Sequence, residues 1–173
     1  MSQHFGPDNA RLTINTGRKG AASKAGHDLL IEVGSWEATL DPSGQPALTL
    51  TADSRSFRVL EGTGGVKGLD DDDKASIAKT IDDDVLKGCP IEFRSTQLEP
   101  SADGTLLNVQ GELELGGRRG PVTFALAIAD GQMTGAATVK QTDFGIKPYT
   151  ALFGALKVAD EVRVSIEADQ VSL

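Results

Sequence analysis

The chain has 173 residues and a formal net charge of −8, from 25 acidic and 17 basic residues, which argues against nucleic acid or an anionic membrane as its main partner. At 39% hydrophobic and 24% charged it is globular rather than disordered, and its length is that of one domain, residues 1–173. A lone cysteine, Cys89, excludes an intrachain disulfide, and no run approaches the roughly 20 apolar residues of a membrane span, so an integral membrane protein is not expected.

The opening stretch, "MSQHFGPDNARLTINT", has no basic end followed by an apolar run. It does not read as a secretory signal, and the expected location is the cytoplasm. The segments "RLTINT", "HDLLIEV", "SWEATL" and "ALTLTAD" then alternate apolar and polar residues with period two, the mark of half-buried strands. Trp36, Ala38 and Leu40 fall on one face of the third, and Leu48, Leu50 and Ala52 on one face of the fourth.

The period changes at "GLDDDDKASIAKTIDDDVLKG", Gly68 to Gly88, which holds seven acidic residues. An EF-hand loop needs a central Gly and a Glu at position twelve, and neither is present. Instead Ile77, Ile81 and Val85 recur every four residues, with Ala78 and Leu86 widening the stripe. That spacing predicts a helix over Asp71–Lys87, with Asp70 to Asp73 favoured by the macrodipole at its start and Gly88 and Pro90 ending it. The expectation is a capped surface helix without chemistry and without a metal.

Strand periodicity returns in "PIEFRSTQL", "LLNVQGELEL", "PVTFALAIAD", "QMTGAATVK" and "EVRVSIEAD", separated by turn signals such as "SADG", "GGRRG" and "ADG". About nine short strands and one main helix predict an all-β antiparallel sandwich or barrel; closure into a barrel removes the edge strands. Ala125, Ala127, Gly135, Ala136 and Ala137 are small for barrel positions. They leave either a hollow interior or an outer face on which something packs.

Polar residues offer little catalytic chemistry. His27 and Asp28 are adjacent, but no "GxSxG" elbow accompanies them, and two histidines with one cysteine do not build a conventional zinc site. A hydrogen-bonded His at a strand start accounts for His27. Cys89 has no base beside it and reads as a small buried hydrophobe. Arg118 and Arg119 sit in a turn, and Arg11, Arg18, Lys19 and Lys24 cluster early, where they either stay solvated or meet a lipid phosphate. No cofactor is expected, and an enzyme built on His27, Asp28 and Asp143 has no constellation to support it.

"QTDFGIKPYTALFGALKVADEVRVSIEA" (Gln141 to Ala168), "CPIEFRST" (Cys89 to Thr96), "VQGELELGGRRGPVTFAL" (Val109 to Leu126) and "DSRSFRVLEG" (Asp53 to Gly62) follow one another in an order that resembles the YceI-like family, lipocalin-like barrels associated with polyisoprenoid lipids. The sequence departs from many members after Asp8, where "NARL" replaces a His-Ser pair. The resemblance implies a lipocalin-like barrel of eight or nine strands with a short helical loop, holding a long-chain isoprenoid or acyl lipid as a non-catalytic carrier or buffer. Its cavity walls are then expected to include Trp36, Phe93, Phe124, Met133, Phe144, Tyr149, Leu152, Phe153 and Leu156. The alternative is a packed, ligand-free barrel acting as a stress-response or interaction module. A homodimer is compatible with both. The connection from Phe144 to Val158 is expected either to be a lid over a ligand tail or to plug one end of the barrel, with Pro148 opening a short helix.

Overall fold

The computed structural model describes residues 1–172. Fourteen strands follow in chain order: β1 (Gln3–Phe5), β2 (Ala10–Asn15), β3 (Arg18–Lys19), β4 (His27–Val33), β5 (Trp36–Leu40), β6 (Leu48–Ala52) and β7 (Phe57–Gly64) precede the helix α1 (Asp71–Thr80). After it come β8 (Ile91–Pro100), β9 (Leu106–Leu115), β10 (Arg118–Ala129), β11 (Gln132–Lys140), β12 (Thr150–Ala151), β13 (Leu156–Val158) and β14 (Glu161–Ala168). Eleven form one antiparallel sheet in the order β1-β5-β6-β8-β9-β10-β11-β14-β2-β4-β7, and β12-β13-β3 form a small second sheet.

The nine segments expected from alternation are β2, β4, β5, β6, β8, β9, β10, β11 and β14. The count rises because short β1, β3, β12 and β13 have too few residues to display a period. β7 was visible only through the family resemblance, since "FRVLEGTG" loses its alternation after Leu60. There the strand bulges opposite Leu30/Ile31 of β4.

The large sheet curls so that one face of each strand turns inward. In β9 the inner row is Leu107, Val109, Gly111, Leu113 and Leu115, with Asn108, Gln110 and Glu112 outside. Among the described residues β1 and β7 do not pair with each other, so the barrel is not closed by hydrogen bonds. α1 packs along β7 instead, covering that edge. Tight connections hold the long hairpins: Gly116 and Gly117, at φ +58° and +82°, turn β9 into β10, a left-handed pair that only glycine adopts without strain.

The helix begins with a capping box, in which the Asp73 N–H donates to the Asp70 carboxylate at 2.8 Å and the Asp70 N–H to the Asp73 carboxylate at 3.2 Å. The α-helical part ends at Thr80, short of the expected Lys87, and continues as a π turn over Ile81–Val85. Its wider winding is closed by the Leu86 N–H on the Ile81 carbonyl at 2.8 Å.

Candidate ligand-binding cavity

The inner face of the sheet does not fill itself. It encloses a cavity of about 550 Å³, within the range of small-molecule sites, and its lining is overwhelmingly apolar. Leu12 and Ile14 of β2, Leu29 and Ile31 of β4, Leu113 and Leu115 of β9, and Val162, Val164 and Ile166 of β14 supply branched side chains to the wall. Between them stand Ala38, Ala52, Gly135 and Ala137, where a larger side chain would occupy the space. The register settles where the small residues of β10 and β11 face. Met133, Gly135, Ala137 and Val139 share the inner row, whereas Ala125 and Ala127 alternate with the inward Val122, Phe124 and Leu126.

The helix closes one side. Ile77, Ile81, Val85 and Leu86 all reach the cavity, along with Ser76 and Thr80. In an unbroken α-helix Leu86 would lie about 180° around the axis from Ile77. The π turn reduces that angle and keeps both on the cavity side. The stripe was visible in the sequence, but its role was not: α1 is a wall of the site as well as a capped surface helix.

At one end the small sheet flanks the cavity, where Thr16, Gly17, Arg18, Gly26 and His27 approach Tyr149, Ala151, Leu156 and Val158. Arg18, His27 and Gln141 gather here, and each is engaged. The Arg18 guanidinium pairs with Asp28, Nε to Oδ1 at 3.3 Å, and donates to the Gly26 carbonyl. His27 donates from Nε2 to the Lys67 carbonyl at 2.7 Å. Gln141, buried, donates its amide to the Ala159 carbonyl at 3.0 Å. His27 and Asp28 therefore turn to different partners rather than to each other. Asp143 is exposed and does not line the cavity. Among the described residues no group of three or more His, Cys, Asp or Glu side chains is placed to hold a metal.

Of the residues expected on the wall, Phe93, Phe124, Met133, Tyr149 and Leu156 line the cavity. Trp36, Phe144, Leu152 and Phe153 do not, and that expectation is corrected. Trp36 is 6% exposed, packed in the core at the start of β5, with its indole N–H unpaired. Phe144 is 2% exposed and lies against Gly120, whose missing Cβ would sit 3.0 Å from the ring. Leu152 and Phe153 point outward, 56% and 113% exposed, because both residues take left-handed backbone angles that turn the chain away from the barrel. Pro148 does not open a helix; an irregular stretch leads into β12, and a short 3₁₀ turn follows at Leu152–Gly154. Cys89 is half-buried rather than buried. The segment from Phe144 to Val158 thus divides its tasks, with Ile146, Tyr149, Ala151 and Leu156 on the cavity and Leu152 and Phe153 in solvent.

No helix among the described residues is long and apolar enough to cross a membrane. No curated protein matches the chain in sequence. The fold is similar to that of BcnA from Burkholderia cenocepacia, with a TM-score of 0.60 at 19% identity over 91% of this chain and 94% of that one. It is also similar to the YceI protein of Campylobacter jejuni, with a TM-score of 0.54 at 16% identity over 82% and 85% of the two chains. These identities speak for a shared architecture. A family model described as the YceI-like domain matches residues 34–169, from the turn before β5 to just past β14, and the chain belongs to the YceI-like family.

Proposed function

We propose that this protein binds a long-chain lipid of isoprenoid or acyl type within the barrel, as a non-catalytic carrier or buffer. The reading rests on one observation, the undivided apolar cavity of about 550 Å³ walled by Gly135, Ala137 and the α1 stripe. A chain of methylenes is the ligand such a wall suits, since each buried CH₂ contributes about 0.8 kcal/mol without any polar partner. A dozen carbons give roughly 10 kcal/mol before the costs of association and ordering. Arg18 and the other polar groups at one end suit the headgroup end of such a molecule. The cavity counts against a barrel packed solid by its own side chains.

Titration with a fluorescent long-chain lipid, followed by competition with polyprenyl compounds, tests this. Saturable binding of one lipid per chain, displaced by polyprenyl chains, is the expected result. Absence of binding by the folded protein would refute the reading.

A further inference from the structure

We infer that the surface made by residues 17–26 and 144–158 docks on an anionic phospholipid bilayer, with Leu152 and Phe153 entering the headgroup region. The docking is independent of the lipid-binding reading; only its use, passing a lipid between bilayer and cavity, rests on that proposal.

The two segments form one continuous face. Lys157 pairs with Lys19 and Val158 with Arg18 across β13 and β3. The Ala22 N–H donates to the Ala155 carbonyl at 2.9 Å, and the Leu156 side chain lies against Gly26.

Its charge is opposite to that of the molecule. These segments carry Arg18, Lys19, Lys24, Lys147 and Lys157 and no Asp or Glu, in a chain of net charge −8. Lys19 stands directly across from Lys157, a like-charge pair that disfavours the small sheet unless an anion lies over it. Lys19, Lys24, Lys147 and Lys157 are exposed, and among the described residues none of them is in an ion pair. Of the bordering acids, Asp28 pairs with Arg18 and Asp160 accepts from the Thr142 N–H and hydroxyl at 2.8 and 2.6 Å, while Asp143 and Glu161 are exposed and outnumbered by the five basic residues of the face. The average charge argued against an anionic membrane; its distribution reverses that conclusion for this face. The net negative charge of the remaining residues gives the molecule a charge asymmetry that orients this basic face toward a negative bilayer.

The apolar element is displayed rather than buried. Phe153 is wholly exposed, and it and Leu152 hold φ of +56° and +51°, a left-handed pair that costs folding energy and returns no packing. An aromatic and a leucine raised among lysines have the composition of an interfacial membrane anchor. Tyr149, half-exposed, belongs to the same segment and also lines the cavity, so the face and the cavity adjoin.

Co-sedimentation of the full chain with vesicles tests the inference. Binding to phosphatidylcholine vesicles containing phosphatidylglycerol is expected at low salt, and loss of binding on pure phosphatidylcholine or at high salt. Leu152→Ser with Phe153→Ser, and separately Lys19→Glu with Lys157→Glu, should each lower the vesicle partition coefficient at least tenfold with an unchanged circular dichroism spectrum. The cavity-filling Ala137→Phe should bind these vesicles as the parent does, which separates docking from lipid uptake. The inference is overturned if the parent stays in the supernatant with anionic vesicles or if the Leu152/Phe153 variant binds undiminished. It is also overturned if Ala137→Phe abolishes vesicle binding, which would assign the capture to the cavity. A parent dimer that the double serine variant makes monomeric would assign the face to a second copy, and would overturn it too.

Discussion

Phe93 and Phe124 meet ring to ring, 5.4 Å between centroids and inclined at 56°, although β9 runs between their strands. Gly111 makes the contact possible. It lies in the inner row of β9, paired with Ser95 on one side and Val122 on the other, and the Phe93 ring leans across the space where its Cβ would be. A tilted aromatic pair of this kind is worth about 0.5–1.5 kcal/mol beyond the area it buries. It also forms one continuous stretch of cavity wall.

Gly111→Ala is therefore expected to destabilise the fold by about 1–3 kcal/mol. The added methyl would sit 2.5 Å from the Phe93 Cζ and closer still to the Arg94 carbonyl oxygen, and the backbone atom has no easy way to yield. Urea denaturation measures this directly. An unchanged midpoint would mean that β8 and β9 shift freely past each other at this point.

The regular strands were legible in the sequence because each turns one face to water and one to the cavity, as in "LLNVQGELEL", where every inward residue but Gly111 is apolar. The helix was legible from Ile77, Ile81 and Val85, but what covers that stripe depends on the curl of the sheet, which no local period encodes. The same holds for the site. Phe93, Phe124 and Met133 lie on regular strands and do line the cavity, but parity alone left core and cavity wall open, and only the family resemblance pointed to the wall. Leu152 and Phe153 lie in a connection without a period, where hydrophobicity alone suggested burial. Their orientation is set by two left-handed residues that the sequence does not announce.

Replacing Phe153 by glycine isolates that backbone effect. The side chain is fully exposed and its φ is +56°, so Phe153→Gly should leave stability unchanged or raise it by up to about 1 kcal/mol. Relief of the left-handed strain is partly offset by the greater freedom of the unfolded chain. A thermal melt of both proteins decides it. A loss above about 1 kcal/mol would indicate a packing role that the exposed ring does not have here.

The β8–β9 turn carries a pH signature. The Ser101 hydroxyl, 2.5 Å from the Asp103 carboxylate, and the Thr105 N–H and hydroxyl lower its pKa from 3.8 to about 2. A carboxylate depressed on folding contributes stability that is present above its unfolded value and is lost as the pH falls through the folded one. Asp103→Ala should accordingly be less stable than the parent near pH 5, with the gap closing as the pH approaches about 2. Denaturant titrations at several pH values follow the gap. A gap that stays constant or widens toward low pH would show that the turn's hydrogen bonds do not depend on the charged form.

Native mass spectrometry of the gently purified protein, set beside the Ala137→Phe variant, reports whether the barrel holds a lipid. Ala137 faces the cavity from β11, opposite Val164 of β14, and a phenyl ring there occupies the space proposed for the lipid tail. Filling a cavity with an apolar ring should preserve or modestly raise stability, so the variant remains a folded control. A single long-chain lipid adduct is expected on the parent, with its loss, or at least a tenfold lower occupancy, on Ala137→Phe. The same adduct on both proteins, or none on either after incubation with a polyprenyl lipid, would contradict lipid binding in the barrel.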